Sequence, residues 1–292
     1  MTDSPAAALR ALLARPGLLV TPSCFDALSA RMIERAGFPL AFMSGFAVSA
    51  AKLAMPDTGL ISYAEMVGQG RDICNAVSIP VIGDADTGYG NALNVRRTVQ
   101  GYARAGFACA MIEDQLAPKR CGHTRGKQVV DRAEALSRIR AAVDAREDGA
   151  DILIMARTDA NATHGFDEAM RRIEAFAEAG ADILFLEAPK TEDEMRAFCA
   201  GAGGPCMANM VEQGETPVLP PAALEALGFK VAAYPLTLLN AAMVAMAGAL
   251  QALAEGRTPD GMLSFAELRD IVGFNDYYAA EERYAGGAGP EK

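Results

Sequence analysis

Eight short β-rich runs alternate with helical stretches along nearly the whole chain, and this alternation limits the fold more than any other feature. The runs are LLVTPS (18–23), LAFMSG (40–45), PVIGDAD (80–86), ACAMIED (108–114), ILIMART (152–158), ILFLEA (183–188), PCMANM (205–210) and KVAAYP (230–235). Between them lie helical pieces such as DALSARMIERAG and FDEAMRRIEAFAEAG. Several of these close on glycine just before the next run, at Gly37, Gly106, Gly180 and Gly228, which is the C-cap signal of αβ units. Eight such units with strands apolar on both faces predict an α/β fold, a (β/α)8 TIM barrel, over an open doubly wound sheet. No GxGxxG follows the first run, so the usual fingerprint of a dinucleotide-binding sheet is missing. Residues 1–292 read as one barrel domain. About 236–292 supply the eighth helix and extra C-terminal helices, suited to a lid or an exchanged arm.

Bulk properties narrow the function. The 292 residues are 51% apolar and 22% charged, a globular balance. A net charge of −10 argues against nucleic-acid partners, which require a basic face. The six cysteines, at 24, 74, 109, 121, 199 and 206, form no paired framework, and the first residues lack a basic n-region and apolar h-region. Reduced thiols in the cytoplasm are the expectation. Two histidines and no CxxC make a structural zinc site unpromising. Residues 236–254 carry no charge and reach spanning length. They are mostly Ala, Met and Gly, with Asn240 and Gln251 among them, so they read as an interface helix and not a membrane span.

In a (β/α)8 barrel, chemistry gathers at the C-terminal ends of the strands. Those ends carry Ser44-Gly45, Asp84-Ala85-Asp86, Glu113-Asp114, Arg157-Thr158-Asp159, Glu187 and Asn209. Asp84, Asp86 and Glu113 concentrate negative charge that calls for a cation, and oxygen ligands suit Mg²⁺ or Mn²⁺. The competing reading makes one or two of these acids helix caps. Arg157 is a bidentate partner for a substrate carboxylate, or else a structural ion-pair partner of Glu187 or Asp159. Backbone N–H groups near Ser44, Gly45 and Phe46 fit the same α-keto or α-hydroxy carboxylate. After the fourth strand comes PKRCGHTRGKQ (118–128). There Cys121 sits among Lys119, Arg120, His123 and Arg125, which favour its thiolate, and a thiol over the mouth can exchange a proton with carbon.

Taken together, MSGFAVSA, PDTGL, DADTGYGNALNVRRTV, IEDQLAPKRCGH, MARTDA, LFLEAP and ANMVEQGETP resemble the isocitrate lyase/phosphoenolpyruvate mutase superfamily over about residues 15 to 280. The resemblance implies a (β/α)8 barrel, Mg²⁺, a mobile gating loop, and helix-swapped dimers pairing into homotetramers. It places the metal on Asp86, with Asp57, Asp84 and Glu113 in a water-mediated shell. Ser44, Gly45, Phe46 and Arg157 match positions that hold the α-keto acid portion. Glu187, Asn209, Gly122 and His123 match positions around the second product. Cys121 matches the acid/base thiol of the lyase branch, where phosphonomutases carry Asn and decarboxylases generally lack KRCGH.

Two departures bear on the substrate. Phe42 stands where methylisocitrate lyases carry Tyr, and Asn240 where they carry an Arg for an additional carboxylate. NMVE-G-TP and the strand-two pattern are similar instead to 2,3-dimethylmalate-cleaving members. The expectation is an Mg²⁺-dependent carbon–carbon lyase of a small 2-hydroxy dicarboxylate, giving a 2-oxo acid such as pyruvate and a carboxylate. The rivals are methylisocitrate cleavage, oxaloacetate decarboxylation or hydrolysis, phosphonomutase chemistry, a Schiff-base aldolase using Lys190, and a non-catalytic metabolite-binding barrel.

Overall fold

The computed structural model describes residues 4–122 and 126–285. Eight parallel strands close in chain order into a barrel: β1 (Leu19–Cys24), β2 (Ala41–Met43), β3 (Val81–Asp84), β4 (Cys109–Glu113), β5 (Leu153–Thr158), β6 (Ile183–Leu186), β7 (Cys206–Asn209) and β8 (Val231–Tyr234). Closure is made by β8 pairing back onto β1, Leu19 with Val231 through Pro22 with Tyr234.

Alternation along each strand divides two apolar cores. Phe42, Ile82, Met111, Met155, Phe185 and Met207 point into the barrel, where they meet Leu9 and Leu12 of the helix Pro5–Ala14. The alternate positions Val81, Ile112, Ile154 and Leu186 face outward against Val99, Ile139, Phe176 and Phe198 of the surrounding helices. This is the period of two expected of a strand buried on both faces. Phe176 and Phe198 are fully buried, and each contributes roughly 1.5–3 kcal/mol by removal from water.

Local signals set the helices between strands. Asn91 caps Ala92–Ala105 by accepting from the backbone of Leu93 and Asn94, and Gly106 ends that helix at φ 98°, a left-handed cap that favours glycine. The helix buries Val95, Val99 and Tyr102, and Phe107 stacks on Tyr102 with ring centroids 4.7 Å apart.

The chain divides into two compact units, Met1–Asn240 and Ala241–Lys292, where the sequence alone suggests one domain with a helical extension. The first contains the whole barrel. In the second, helices Phe265–Val272 and Phe274–Ala285 pack Arg269 against the rings of Phe265, Phe274 and Tyr278 at 5.8, 5.3 and 5.5 Å. The helix Thr237–Ala254 runs across the division. By length and composition it could cross a bilayer, and Met243, Val244, Met246, Leu250 and Leu253 are exposed along it.

Candidate active site

The inward positions that continue each core stripe past the strand ends are polar. Phe42 is followed two residues on by Ser44, Ile82 by Asp84 and then Asp86, and Met111 by Glu113. Met155 is followed by Arg157 and then Asp159, Phe185 by Glu187, and Met207 by Asn209. The same period that packs the barrel therefore aims all of these into one mouth.

On the β2–β4 side stand four buried carboxylates, Asp57, Asp84, Asp86 and Glu113. Asp84 is fixed by two backbone donors: Gly45 N–H reaches Oδ2 at 3.2 Å, and Asp86 N–H reaches Oδ1 at 3.0 Å. A Cβ at position 45 would lie 2.6 Å from Asp84 Oδ2, so that approach requires glycine. Asp86 holds φ 49° without being glycine, a conformation that costs on the order of 1 kcal/mol or more and is found preferentially at functional sites. Ser44 caps the following helix Gly45–Leu53 by accepting from Ala47 N–H at 3.3 Å.

Lys119 enters this group. Its Nζ lies 2.5 Å from Asp57 Oδ1 and 2.8 Å from Asp86 Oδ1, and it is as buried as they are. Burial alone would drive the ammonium toward neutrality, but Asp86, Asp57, Asp84 and Glu113 outweigh it and hold Lys119 well above its ordinary pKa. Asp57, Asp84 and Glu113 do not fall in return, because several carboxylates share few cations. Burial, then Asp86, pushes Asp84 up to about 6. Burial raises Asp57 against the pull of Lys119, and Glu113 against the pull of Arg157.

Arg157 is the hub of the other side. Its Nε lies 2.8 Å from Asp159 Oδ2 and 3.2 Å from Glu113 Oε2, and its Nη1 lies 3.0 Å from Glu187 Oε2. The ion pairs weighed against a substrate role are thus present, and a substrate carboxylate would share the guanidinium with them. Asn209 Nδ2 sits 3.3 Å from both Glu187 oxygens. Behind Arg157, Asp114 accepts from Thr158 Oγ1 at 2.6 Å, from Asp159 N–H at 2.9 Å and from Arg172 Nη1 at 2.9 Å.

The peptide after β4 lies against both groups. Gly122 is so close to the floor that an added Cβ would meet Arg157 Nη2 and Glu187 Cδ at 2.6 Å. Lys127 donates to the Gly122 carbonyl and pairs with Asp159 Oδ1 at 3.3 Å. Half-buried Cys121 lines a cavity of about 200 Å³ with Ser44, Phe46, Asp57, Asp84, Lys119, Arg157, Glu187 and Asn209. Its apolar wall is Phe42, Met111, Phe185, Met207, Val211, Pro235 and Leu236.

The donor set fits one small, hydrated cation. Among the described residues, Glu113 Oε1 is buried without a hydrogen-bond donor, and Asp86 Oδ1 has the ionic contact to Lys119 alone. Among the described residues, no three His, Cys, Asp or Glu groups converge tightly enough to ligate an ion directly. Buried carboxylate oxygens short of donors, such as those of Glu113 and Asp86, would suit Mg²⁺, which keeps several waters and takes one or two protein carboxylates.

His123 and Arg125, both singled out in the sequence, lie outside the described residues. Lys190 is exposed and absent from the cavity lining, which removes the support for a Schiff-base site. Asn240 is exposed too, and Pro235 and Leu236 border the cavity instead. Lys119 and Lys127, read in the sequence only as the ends of a local basic cluster that leaves an anion site possible, instead have their side chains buried against the carboxylates. Both sit in a polar stretch that resembles a solvated loop, and no local signal marks them as buried.

A closed parallel barrel whose mouth gathers a thiol, a guanidinium and a carboxylate cluster at the C-terminal ends of its strands has the form of an enzyme barrel. The family model for phosphoenolpyruvate phosphomutase matches residues 9–254. The 2,3-dimethylmalate lyase of Eubacterium barkeri is 44% identical, over 97% of this chain and 99% of that protein. Oxaloacetate acetylhydrolase in complex with 3,3-difluorooxalacetate superposes with a TM-score of 0.92 at 36% identity, over 98% of this chain and 99% of that one. Phosphonopyruvate hydrolase in complex with oxalate and Mg²⁺ gives 0.85 at 32% identity, over 97% and 100%. The chain belongs to the phosphoenolpyruvate mutase/isocitrate lyase superfamily, and its likeness to a named lyase sets it among the carbon–carbon lyases of that group.

Proposed function

We propose that the protein is an Mg²⁺-dependent lyase, cytoplasmic, that cleaves a 2-hydroxy dicarboxylate of the 2-alkylmalate type into an α-keto acid such as pyruvate and a carboxylate. One observation carries the reading: Cys121 shares a single cavity with Arg157, Glu187 and the acidic cluster, and that cavity has an apolar wall. Similarity to 2,3-dimethylmalate lyase supports the substrate class, and the Mg²⁺ complex of a structural relative supports the metal.

Asp86 would hold the cation, with Asp57, Asp84 and Glu113 around its waters; when bound, it supplies Lewis-acid stabilisation of negative charge on the C2 oxygen. Arg157, with the helix start at Ser44, Gly45 and Phe46, orients the carboxylate of the 2-hydroxy acid end. Glu187 and Asn209, with Gly122 packed against them, border the departing fragment; His123 belongs to the same group by resemblance. As the C2–C3 bond breaks, the C2 hydroxyl proton passes to a base in the cavity lining, one of the carboxylates Asp57, Asp84 and Glu187. The electron pair of the bond passes to C3 as a carboxylate enolate, and C2–O becomes a carbonyl. The Cys121 thiol then protonates C3. Phe42 has no hydroxyl with which to take the proton of the C2 alcohol.

Shape similarity to oxaloacetate acetylhydrolase favours a second reading, hydrolysis of an oxaloacetate-like acid. Incubating purified protein with a panel of 2-alkylmalates, 2-methylisocitrate and oxaloacetate, with Mg²⁺ or EDTA, separates the two. Pyruvate from a 2-alkylmalate is the expected product, and oxalate with acetate from oxaloacetate alone would overturn the lyase reading. Helix-swapped dimers pairing into tetramers are part of the proposal, supported by the exposed apolar side chains of Thr237–Ala254.

A further inference from the structure

Lys119 stands out because its position opposes the use proposed for the carboxylates around it. Its ammonium lies within 2.8 Å of Asp86 Oδ1, the oxygen otherwise short of a donor, while holding Asp57 Oδ1 at 2.5 Å. Lys119 and Asp57 are 62 residues apart in sequence, so the contact is made by the tertiary fold. Each of the three side chains is only about 5% exposed, so water screens the pair weakly.

We infer that Lys119 is a positioning residue that shares Asp86 with the divalent cation, setting cation affinity and linking cation occupancy to the placement of Cys121. The inference rests on the metal reading above. A buried ammonium beside a dication is repelled by it and competes with it for the same oxygen, so cation binding must turn Lys119 away from Asp86. Asp57 remains as its partner, and the backbone from Lys119 to Cys121 spans one intervening residue, Arg120. Arg120 is itself held on both sides by Gln115, whose Oε1 accepts from Arg120 N–H at 2.9 Å and whose Nε2 donates to Arg120 O at 2.8 Å. Lys119 and Cys121 thus flank one fixed residue and line the same cavity, so a change in the partners of Lys119 changes the charge and surroundings of the thiol. By reciprocity, whatever occupancy does to the thiol, the thiol segment does to occupancy.

The test uses direct Mn²⁺ binding, by electron paramagnetic resonance, on wild type and Lys119→Met, a substitution that keeps the apolar stem and removes the charge. Lys119→Met should bind Mn²⁺ at least about tenfold more tightly, whereas a residue of merely structural importance would weaken binding when replaced. In wild type, Mn²⁺ should change the rate at which Cys121 is alkylated, followed by peptide mass spectrometry, and Lys119→Met should abolish that dependence. Equal or weaker Mn²⁺ binding in Lys119→Met overturns the inference. Should that variant not fold, Lys119→Arg keeps the charge and should stay within about threefold of wild type; a tenfold rise there overturns it equally. Asp86→Ala is the control for the metal reading itself. It should lose Mn²⁺ binding, and if it binds as wild type does, the cation lies elsewhere and both readings fall.

Discussion

Glu113 and Arg157 are paired residues in the β4–β5 ladder, and their side chains meet at 3.2 Å inside the barrel. The register that makes this pair also delivers Arg157 to Asp159 and Glu187. One guanidinium thus contacts three buried acids. Removing it takes an ion-pair partner from each of them, and of the three Asp159 keeps Lys127.

Arg157→Met is accordingly predicted to destabilise the fold by about 3–5 kcal/mol, the penalty for stranding buried carboxylates. Urea denaturation at neutral pH reads this directly. Arg157→Lys keeps the charge without the planar fork, so it should fold while raising KM at least roughly tenfold. Wild-type stability in the Met variant would show that the acids are neutralised by other means.

For Cys121, replacement by Ser should leave keto-acid binding intact and lower the cleavage rate at least roughly 10²-fold, the usual loss when a general acid is removed. Single-turnover kinetics with a 2-alkylmalate measures it. Normal cleavage by Cys121→Ser would assign the thiol to the cavity wall alone.

Substrate choice follows from what surrounds the cavity. Phe42, Met207, Val211, Pro235 and Leu236 give one side an apolar surface, and Asn240 stands exposed, away from it. Among the described residues, a third carboxylate placed against that wall would meet no charged partner in the wall itself, at a cost of several kcal/mol. Preference for 2,3-dimethylmalate over 2-methylisocitrate should reach at least about 10²-fold in kcat/KM, or roughly 2.7 kcal/mol. Equal or reversed values would sink the dicarboxylate assignment and leave the lyase assignment standing.

A pH-dependent prediction concerns Glu168, which supports the network behind Arg157. The Arg132 hydrogen bond, helped by Arg172 and working against desolvation, lowers the Glu168 carboxyl to about 2. A folded-state pKa below the unfolded value stabilises above the unfolded pKa, and that stability is lost as pH falls through the folded one. Glu168→Gln should therefore cost on the order of 1 kcal/mol at pH 7, a Tm drop of about 2–4 °C. The gap to wild type should narrow steadily below about pH 4.5. Thermal melts from pH 7 down to pH 3 follow it, and a gap that widens on acidification would contradict the assignment.

Repeating βα units, glycine caps and strand-end polar residues were legible in the sequence because each is local. A strand's period of two, or a glycine after a helix, depends only on neighbours along the chain. The same locality made Asp84, Glu113, Arg157, Glu187 and Asn209 readable as mouth residues: each lies two positions past a large apolar side chain of the inner core. Sequence motifs also carried the family. Pairing across the barrel was decided only by the tertiary structure. Lys119 reaches Asp57 and Asp86, Lys127 reaches Asp159, and Asn240 stays outside the cavity that Pro235 and Leu236 border. Those outcomes depend on how eight strands stagger as they close and on how the peptide after β4 folds over the mouth. No local propensity encodes either, because the energy that fixes them comes from charges brought together out of water by distant parts of the chain.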